Sequence, residues 1–215
     1  MLIPFKEVCA ILKYNHLPIN GILHIGAHDC EERKDYVENG VNDEDIYWVE
    51  GNPDKVIYNQ ENGVPHIYQG LIYDVEKEVE FHVTKDPLND GSCQSSSILP
   101  FETHSLHYPH ITVGEVKKMK TVTLESLIQT TKIPIENLTF WNLDIQGVEL
   151  EALRSAGDLI RFANAIYCEV NVQSLYKGCA LLGEVDEFMK GNGFTRVAMK
   201  LADQGWGDAL FIRLG

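Results

Sequence analysis

Several features that would announce a function are missing from this chain. It has no G-x-G-x-x-G turn and no G-K-[ST] triplet, so no loop is dedicated to a pyrophosphate or a nucleotide phosphate chain. Cysteine is sparse and unpatterned. The five, at positions 9, 30, 93, 168 and 179, form no C-x-x-C pair, which excludes a disulfide framework and a zinc ribbon and predicts reduced thiols in a cytoplasmic setting. Basic charge is short: 18 Lys and Arg against 32 Asp and Glu give a formal net charge of −14, opposite to what a phosphate backbone recruits. Nucleic acid is therefore not an expected partner. No apolar run reaches the length of a bilayer span, and Lys6, Glu7 and Lys13 interrupt the first apolar positions, so neither a membrane helix nor a signal peptide is expected.

What is there is an ordinary globular composition, 44% hydrophobic and 23% charged. Its length of 215 residues suits one core, and the expectation is a single domain over 1–215. Apolar runs alternate with helix-like segments. Strands are predicted at 21–26, 45–50, 66–72, 78–83, 117–123, 138–144, 164–170, 194–199 and 207–213. Helices are predicted at 4–15 (within an N-terminal segment 1–20), 30–39, 53–61, 124–130, 147–156 and 180–191. Residues 85–115 show no periodicity and read as a lid or substrate loop. This alternation predicts a doubly wound, mainly parallel α/β sheet. The last two strands lack an intervening helix, so one of them must run antiparallel.

In such sheets ligands sit beyond the carboxyl ends of the strands. The first strand ends in Gly26-Ala27-His28-Asp29 and the second in Glu50-Gly51-Asn52. A glycine turn followed by an acid at the next strand end provides for a nucleoside, with Glu50 accepting hydrogen bonds from the ribose hydroxyls. Without a phosphate cradle, that nucleoside is read as S-adenosylmethionine. His28 and Asp29 stand near its methionine part, although Asp29 equally suits a helix cap. His24 is read as a core histidine. Asp144-Ile145 and Glu169-Val170-Asn171 close two further strands. Asp144, with Glu149 and Glu169, is the candidate for taking the proton of an acceptor hydroxyl. Asp144, Glu169 and Asn171 also form an oxygen set suited to Mg²⁺; alternatively Glu169 and Asn171 position substrate. Ser95, in GSCQSSSILP, belongs to a loop placed to close over the cofactor. His104, His107 and His110 have a spacing that tempts a zinc reading, but they lack a completing ligand and are read as lining. His107, Asn171, Tyr176 and Trp206 are candidate acceptor contacts, with Trp206 able to stack on a sugar face or simply to pack.

The segments HIGAHDCEE, WVEGNP, SSSILP, KTVTLESL, LDIQGVELEALRSAG, EVNVQSLYKGC and GWGDALFIR, running from residue 22 to 213, resemble the FkbM family of S-adenosylmethionine-dependent methyltransferases. The resemblance implies a class I methyltransferase (Rossmann-like) three-layer sandwich with seven strands. It also implies methyl transfer to oxygen on sugars or natural products. Gly26, Glu50 and Asp144 carry over as cofactor-side or catalytic residues. The family's usual D-x-E-G-x-E reads here Asp144-Ile145-Gln146-Gly147-Val148-Glu149, with Gln146 in place of an acid. The expected activity is O-methylation of a glycan hydroxyl, with small natural products as alternative acceptors. A cofactor-binding scaffold without turnover is the rival reading. The oligomeric state is left open.

Overall fold

Two four-residue segments, Ile22–Ile25 and Phe140–Leu143, each apolar but for one residue (His24 and Asn142), lie side by side in parallel and are buried along their whole length. The computed structural model describes residues 1–214. Its strands are β1 (Ile22–Ile25), β2 (Ile46–Glu50), β3 (Ile67–Gln69), β4 (Glu78–Lys85), β5 (Thr112–Lys120), β6 (Phe140–Leu143), β7 (Ala165–Asn171), β8 (Phe194–Leu201) and β9 (Trp206–Arg213). Its helices are α1 (Phe5–Tyr14), α2 (Arg33–Glu38), α3 (Pro53–Glu61), α4 (His104–His107), α5 (Leu124–Thr131), α6 (Glu149–Ser155) and α7 (Leu182–Gly191). Seven strands form one sheet in the order β3-β2-β1-β6-β7-β9-β8. β1, β2, β3, β6 and β7 run parallel, and β9 runs antiparallel to both β7 and β8, as the closing strand pair required.

Alternation along each strand assigns side chains to two cores. Leu23, Ile25, Trp141 and Leu143 face α5, α6 and α7, burying Leu127, Leu153 and Val185 with them. Ile22, Trp48 and Phe140 face the other way, against Phe5, Val8 and Leu12 of α1 and Tyr36 of α2. Phe5 meets Tyr36 and Phe140 edge-on, with ring centroids 4.6 and 5.5 Å apart. His24 belongs to this second face as expected. Its Nδ1 lies 3.1 Å from the Tyr36 hydroxyl, which also accepts from Asn142 Nδ2 at 2.7 Å, and burial lowers the affinity of the ring for a proton.

Chain order reverses between β1 and β6, which is where the sheet opens its crevice. There the two backbones nearly touch. A Cβ on Gly26 would fall 1.8 Å from the Asp144 carbonyl oxygen, and Gly26 has φ +95°, so only glycine fits. Gly26→Ala is expected to cost about 1–3 kcal/mol of stability from the backbone alone, with the clash adding to it. Thermal unfolding measures this; an unchanged midpoint would mean that β1 and β6 do not approach so closely.

Residues 85–115 are more ordered than their composition suggests. β4 and β5 pair antiparallel as a separate two-stranded sheet, and α4 adds one helical turn. β5 escapes a periodicity reading because nearly all of its side chains are exposed or half-exposed, so no apolar alternation marks it. The intervening stretch is tied down by His82 N–H to Ser97 O at 2.8 Å and Asp86 N–H to Ser92 O at 2.9 Å. The third strand is shorter than expected because the chain beyond Gly70 turns to Val122, whose N–H bonds to Leu71 O at 2.9 Å and whose carbonyl accepts Tyr73 N–H at 3.0 Å.

Candidate functional site

The turn after β1 is built around Glu50. The N–H groups of Gly26 and Ala27 donate to Val49 O at 2.9 and 3.1 Å, which folds the turn back over the end of β2. The Glu50 carboxylate then takes His28 N–H on Oε2 at 2.8 Å and Asn52 N–H on Oε1 at 2.6 Å. Burial pushes this carboxyl up, and the two backbone donors oppose the shift. A carboxylate offers about four acceptor positions, and two are used, so the remainder is available to the cleft that Glu50 lines. Asn52 caps α3 through Oδ1, accepting Asp54 N–H at 3.2 Å, and also lines the cleft.

His28 adds a cation beside this carboxylate. Its Nδ1 lies 2.8 Å from Glu31 Oε1. Burial disfavours the imidazolium, but the Cys93 thiol and Glu31 outweigh it, and the ring is raised to about 10. Glu31, although burial raises it, is drawn down to about 2 by His28. Asp29 corrects its expectation. Both oxygens hold Lys55 Nζ at 2.7 Å, it does not line the cleft, and α2 has no side-chain cap. Ala27 is likewise buried away from the cleft and contributes only its backbone.

The cleft encloses about 510 Å³, within the range of small-molecule sites. Its lining takes Glu50, Asn52, Leu71 and Ile72 from the β2–β3 side and Asp144, Glu169 and Asp208 from the β6, β7 and β9 side, with Phe81, Ser95, Ser96, Ser97, Tyr108 and Trp206 also facing it and Ser97 bonded to Gln146 O at 2.8 Å. Gly26, His28 and Ile145 stand between. Asp144 keeps an accessible face, but that face opens into a cleft walled by protein. The resulting loss of hydration, with the charge of Asp208, pushes its carboxyl up to about 6. Glu169 is buried beside it, and burial and the charges of Asp144, Glu149 and Asp208 raise it well above the carboxylate range. Asp208 stands opposite Glu169 in the β7–β9 ladder, accepts hydrogen bonds from the Tyr167 hydroxyl and Leu2 N–H, and is raised by burial.

Glu149 is a second correction. Its carboxylate accepts Ile145 N–H at 2.9 Å and Gly147 N–H at 3.1 Å, it is buried, and it does not line the cleft. Burial pushes it up to about 7 against those two donors. It holds the β6–α6 turn in shape and does not face the cleft. His107 also corrects its expectation, being exposed and paired at 3.1 Å with the Gln173 amide outside the cleft. The three histidines do not converge: His104 is buried and stacked on Phe101 at 4.0 Å, whereas His110 lies 3.7 Å from Asp86. Tyr176 is buried behind the cleft wall, its hydroxyl donating to Gln146 Oε1 at 2.5 Å. Trp206 does line the cleft, with Nε1 donating to the Tyr108 hydroxyl at 2.8 Å.

The oxygen set considered for Mg²⁺ does not fit a cation. Gln146 Nε2 donates to Asp144 Oδ1 at 2.6 Å and to Glu169 Oε2 at 2.9 Å, which puts amide hydrogens where the ion would bridge the carboxylates. Asn171 Oδ1 is buried without a hydrogen-bond partner, and Asn171 does not line the cleft. Among the described residues one trio, His28, Asp29 and Glu31, is close enough to hold an ion, but it is already neutralised by Lys55 and by the charge on His28.

Asp208 was not foreseen, and Gln146 was noted only as standing in place of an acid. A lone acid inside the apolar run of GWGDALFIR was the available signal for Asp208, since a buried acid in a strand needs a partner or a task.

Strand order, the antiparallel β9 and the crevice at the β1–β6 reversal define the class I methyltransferase fold. The family model described as the methyltransferase FkbM domain matches residues 24–196. The chain belongs to the FkbM methyltransferase family. Among solved structures it is similar to a methyltransferase FkbM from Methylobacillus flagellatus KT, at 12% identity and TM-score 0.55 over 89% of this chain and 43% of that one. The chain thus spans less than half the length of that protein. It is also similar to TrmK of M. capricolum in complex with S-adenosyl-homocysteine, at 9% identity and TM-score 0.50 over 96% of this chain and 68% of that one. At these identities the likeness concerns the fold. No curated protein matches the chain.

Proposed function

We propose that this chain is an S-adenosylmethionine-dependent O-methyltransferase whose acceptor is a hydroxyl of a sugar or glycan. The observation that carries the cofactor reading is Glu50, fixed by two backbone amides at a strand end with acceptor capacity left toward the cleft. It binds the ribose hydroxyls there. Leu71, Ile72 and Phe81 provide an apolar slot for the base, and the His28 cation suits the methionine carboxylate. S-Adenosylmethionine, when bound, supplies an electrophilic methyl group on a sulfonium. Asp144 lies toward the reacting end and takes the acceptor hydroxyl proton on its carboxylate as the oxygen forms its bond to carbon and the carbon–sulfur bond breaks. Glu169 and Asp208 flank it and Trp206 offers an aromatic face, a mixture that suits a ring bearing several hydroxyls. The formal net charge of −14 disfavours a nucleic-acid acceptor. Five free cysteines support a reducing, cytoplasmic setting. No helix among the described residues is long and apolar enough to cross a membrane.

Two measurements test this. Saturating S-adenosylhomocysteine is expected to stabilise the fold by about 2.7 kcal/mol at a hundredfold excess over Kd, with NAD giving no shift. The reverse ranking would replace a methyltransferase with an oxidoreductase reading. Incubation with methyl-labelled cofactor and a panel of sugars, small alcohols and proteins is expected to label sugar oxygen; label confined to protein nitrogen would reject the acceptor class.

A further inference from the structure

Gln146 occupies an unusual position. Its backbone is left-handed, at φ +57°, a conformation that side-chain-bearing residues adopt only where surrounding contacts hold them. Ser97 Oγ donates to its carbonyl at 2.8 Å, and the Tyr176 hydroxyl donates to its Oε1 at 2.5 Å. The Tyr176 contact fixes which way the side-chain amide points, while Ser97 holds the backbone carbonyl in place. The two hydrogens on Nε2 are thereby aimed at Asp144 and Glu169, one at 2.6 Å and one at 2.9 Å. Turning the amide over would give up both donors toward Asp144 and Glu169 and set Oε1 against the Asp144 carboxylate.

We propose that Gln146 is a positioning residue that does with a neutral amide what a divalent cation would do at this place: it bridges Asp144 and Glu169, fixes the direction of the Asp144 carboxylate and makes the site metal-independent. The charge argument supports it. Asp144 and Glu169 lie close together with Asp208 behind them, and no lysine or arginine lines the cleft. Burial and the neighbouring acids already favour the protonated form of Glu169, and a two-hydrogen donor orients the pair without adding charge. A carboxylate at 146 would remove both donors and add a fourth acid to Asp144, Glu169 and Asp208, a group that a bridging cation would hold together. The inference builds on the methyltransferase reading for its kinetic measurement and on the geometry alone for its metal measurement.

Manganese binding by calorimetry tests the geometry without any turnover. Wild type is expected to show no saturable Mn²⁺ site, and Q146E is expected to gain one. Saturable binding by wild type, or none by a folded Q146E, would overturn the proposal. Q146N tests the positioning role and guards against a Q146E chain that does not fold, because asparagine tolerates the left-handed backbone while its amide is one methylene too short to reach Glu169. Its kcat is expected to fall about tenfold or more with the cofactor KM within about twofold of wild type, and EDTA is expected to leave wild-type turnover unchanged. An unaltered kcat in Q146N, or wild-type activity lost to EDTA and restored by Mg²⁺, would reject it. A wild-type chain that binds no S-adenosylhomocysteine and transfers no methyl group would defeat the functional reading instead, with the Mn²⁺ measurement still deciding this one.

Discussion

Glu50→Ala is expected to weaken S-adenosylhomocysteine binding by about a hundredfold or more. Two hydrogen bonds from ribose hydroxyls to one carboxylate are each worth about 1.5–3 kcal/mol, and 3 kcal/mol is already more than a hundredfold in Kd. The same carboxylate holds His28 N–H and Asn52 N–H, so alanine also leaves two backbone donors without their acceptor. Stability should therefore fall as well, by about 1–3 kcal/mol for each donor left buried and unpaired. Glu50→Gln separates the two effects: its amide oxygen can still serve one backbone donor, while the charge that strengthens the ribose contacts is gone. Calorimetry alongside thermal unfolding reads both. An alanine variant that stays folded and binds as tightly as wild type would remove Glu50 from the site.

The second large effect concerns Asp144. Asp144→Asn is expected to lower kcat by about 10²–10⁴-fold, the usual contribution of a positioned general base, and to affect product affinity far less. The pH dependence has a definite sign. The basic form is the carboxylate, and loss of hydration in the cleft, with the charge of Asp208, sets its proton affinity at about 6. Wild-type kcat/KM should thus be constant at neutral pH and decline as pH drops through about 6, whereas the asparagine variant should show no such decline. Single-turnover rates across that range would check it. A variant with wild-type kcat would mean that alignment alone drives the transfer and that Asp144 is not the proton acceptor.

Much of the architecture was legible in the sequence. The run ILHIGAHD reads as a strand and a tight turn because Ile22, Leu23 and Ile25 lead into a glycine, and Gly26 proves to be the one residue type that the neighbouring Asp144 carbonyl tolerates. Glu50 was legible for the same local reason, an acid closing the apolar IYWV. β5 was misplaced because its exposed residues carry no period, and its pairing with β4 comes from backbone hydrogen bonds that composition does not reveal. Asp29, Glu149 and His107 were assigned by nearness in sequence to a strand end or loop, yet each turns elsewhere. Lys55 from the following helix captures Asp29, two turn amides capture Glu149, and Gln173 meets His107.

Strand periodicity, the glycine turn and the strand-end acid are matters of residues a few positions apart, and short-range sterics and apolar patterning settle them before the chain is folded. Which acids share a cleft is a different kind of question. Asp144, Glu169 and Asp208 come together because β6, β7 and β9 lie side by side, and Asp208 faces Glu169 through the register of one antiparallel pair. The direction of the Gln146 amide depends on Tyr176, and its backbone carbonyl is held by Ser97, both partners from loops far along the chain. Long-range register and side-chain direction arise from packing, and no local pattern encodes them.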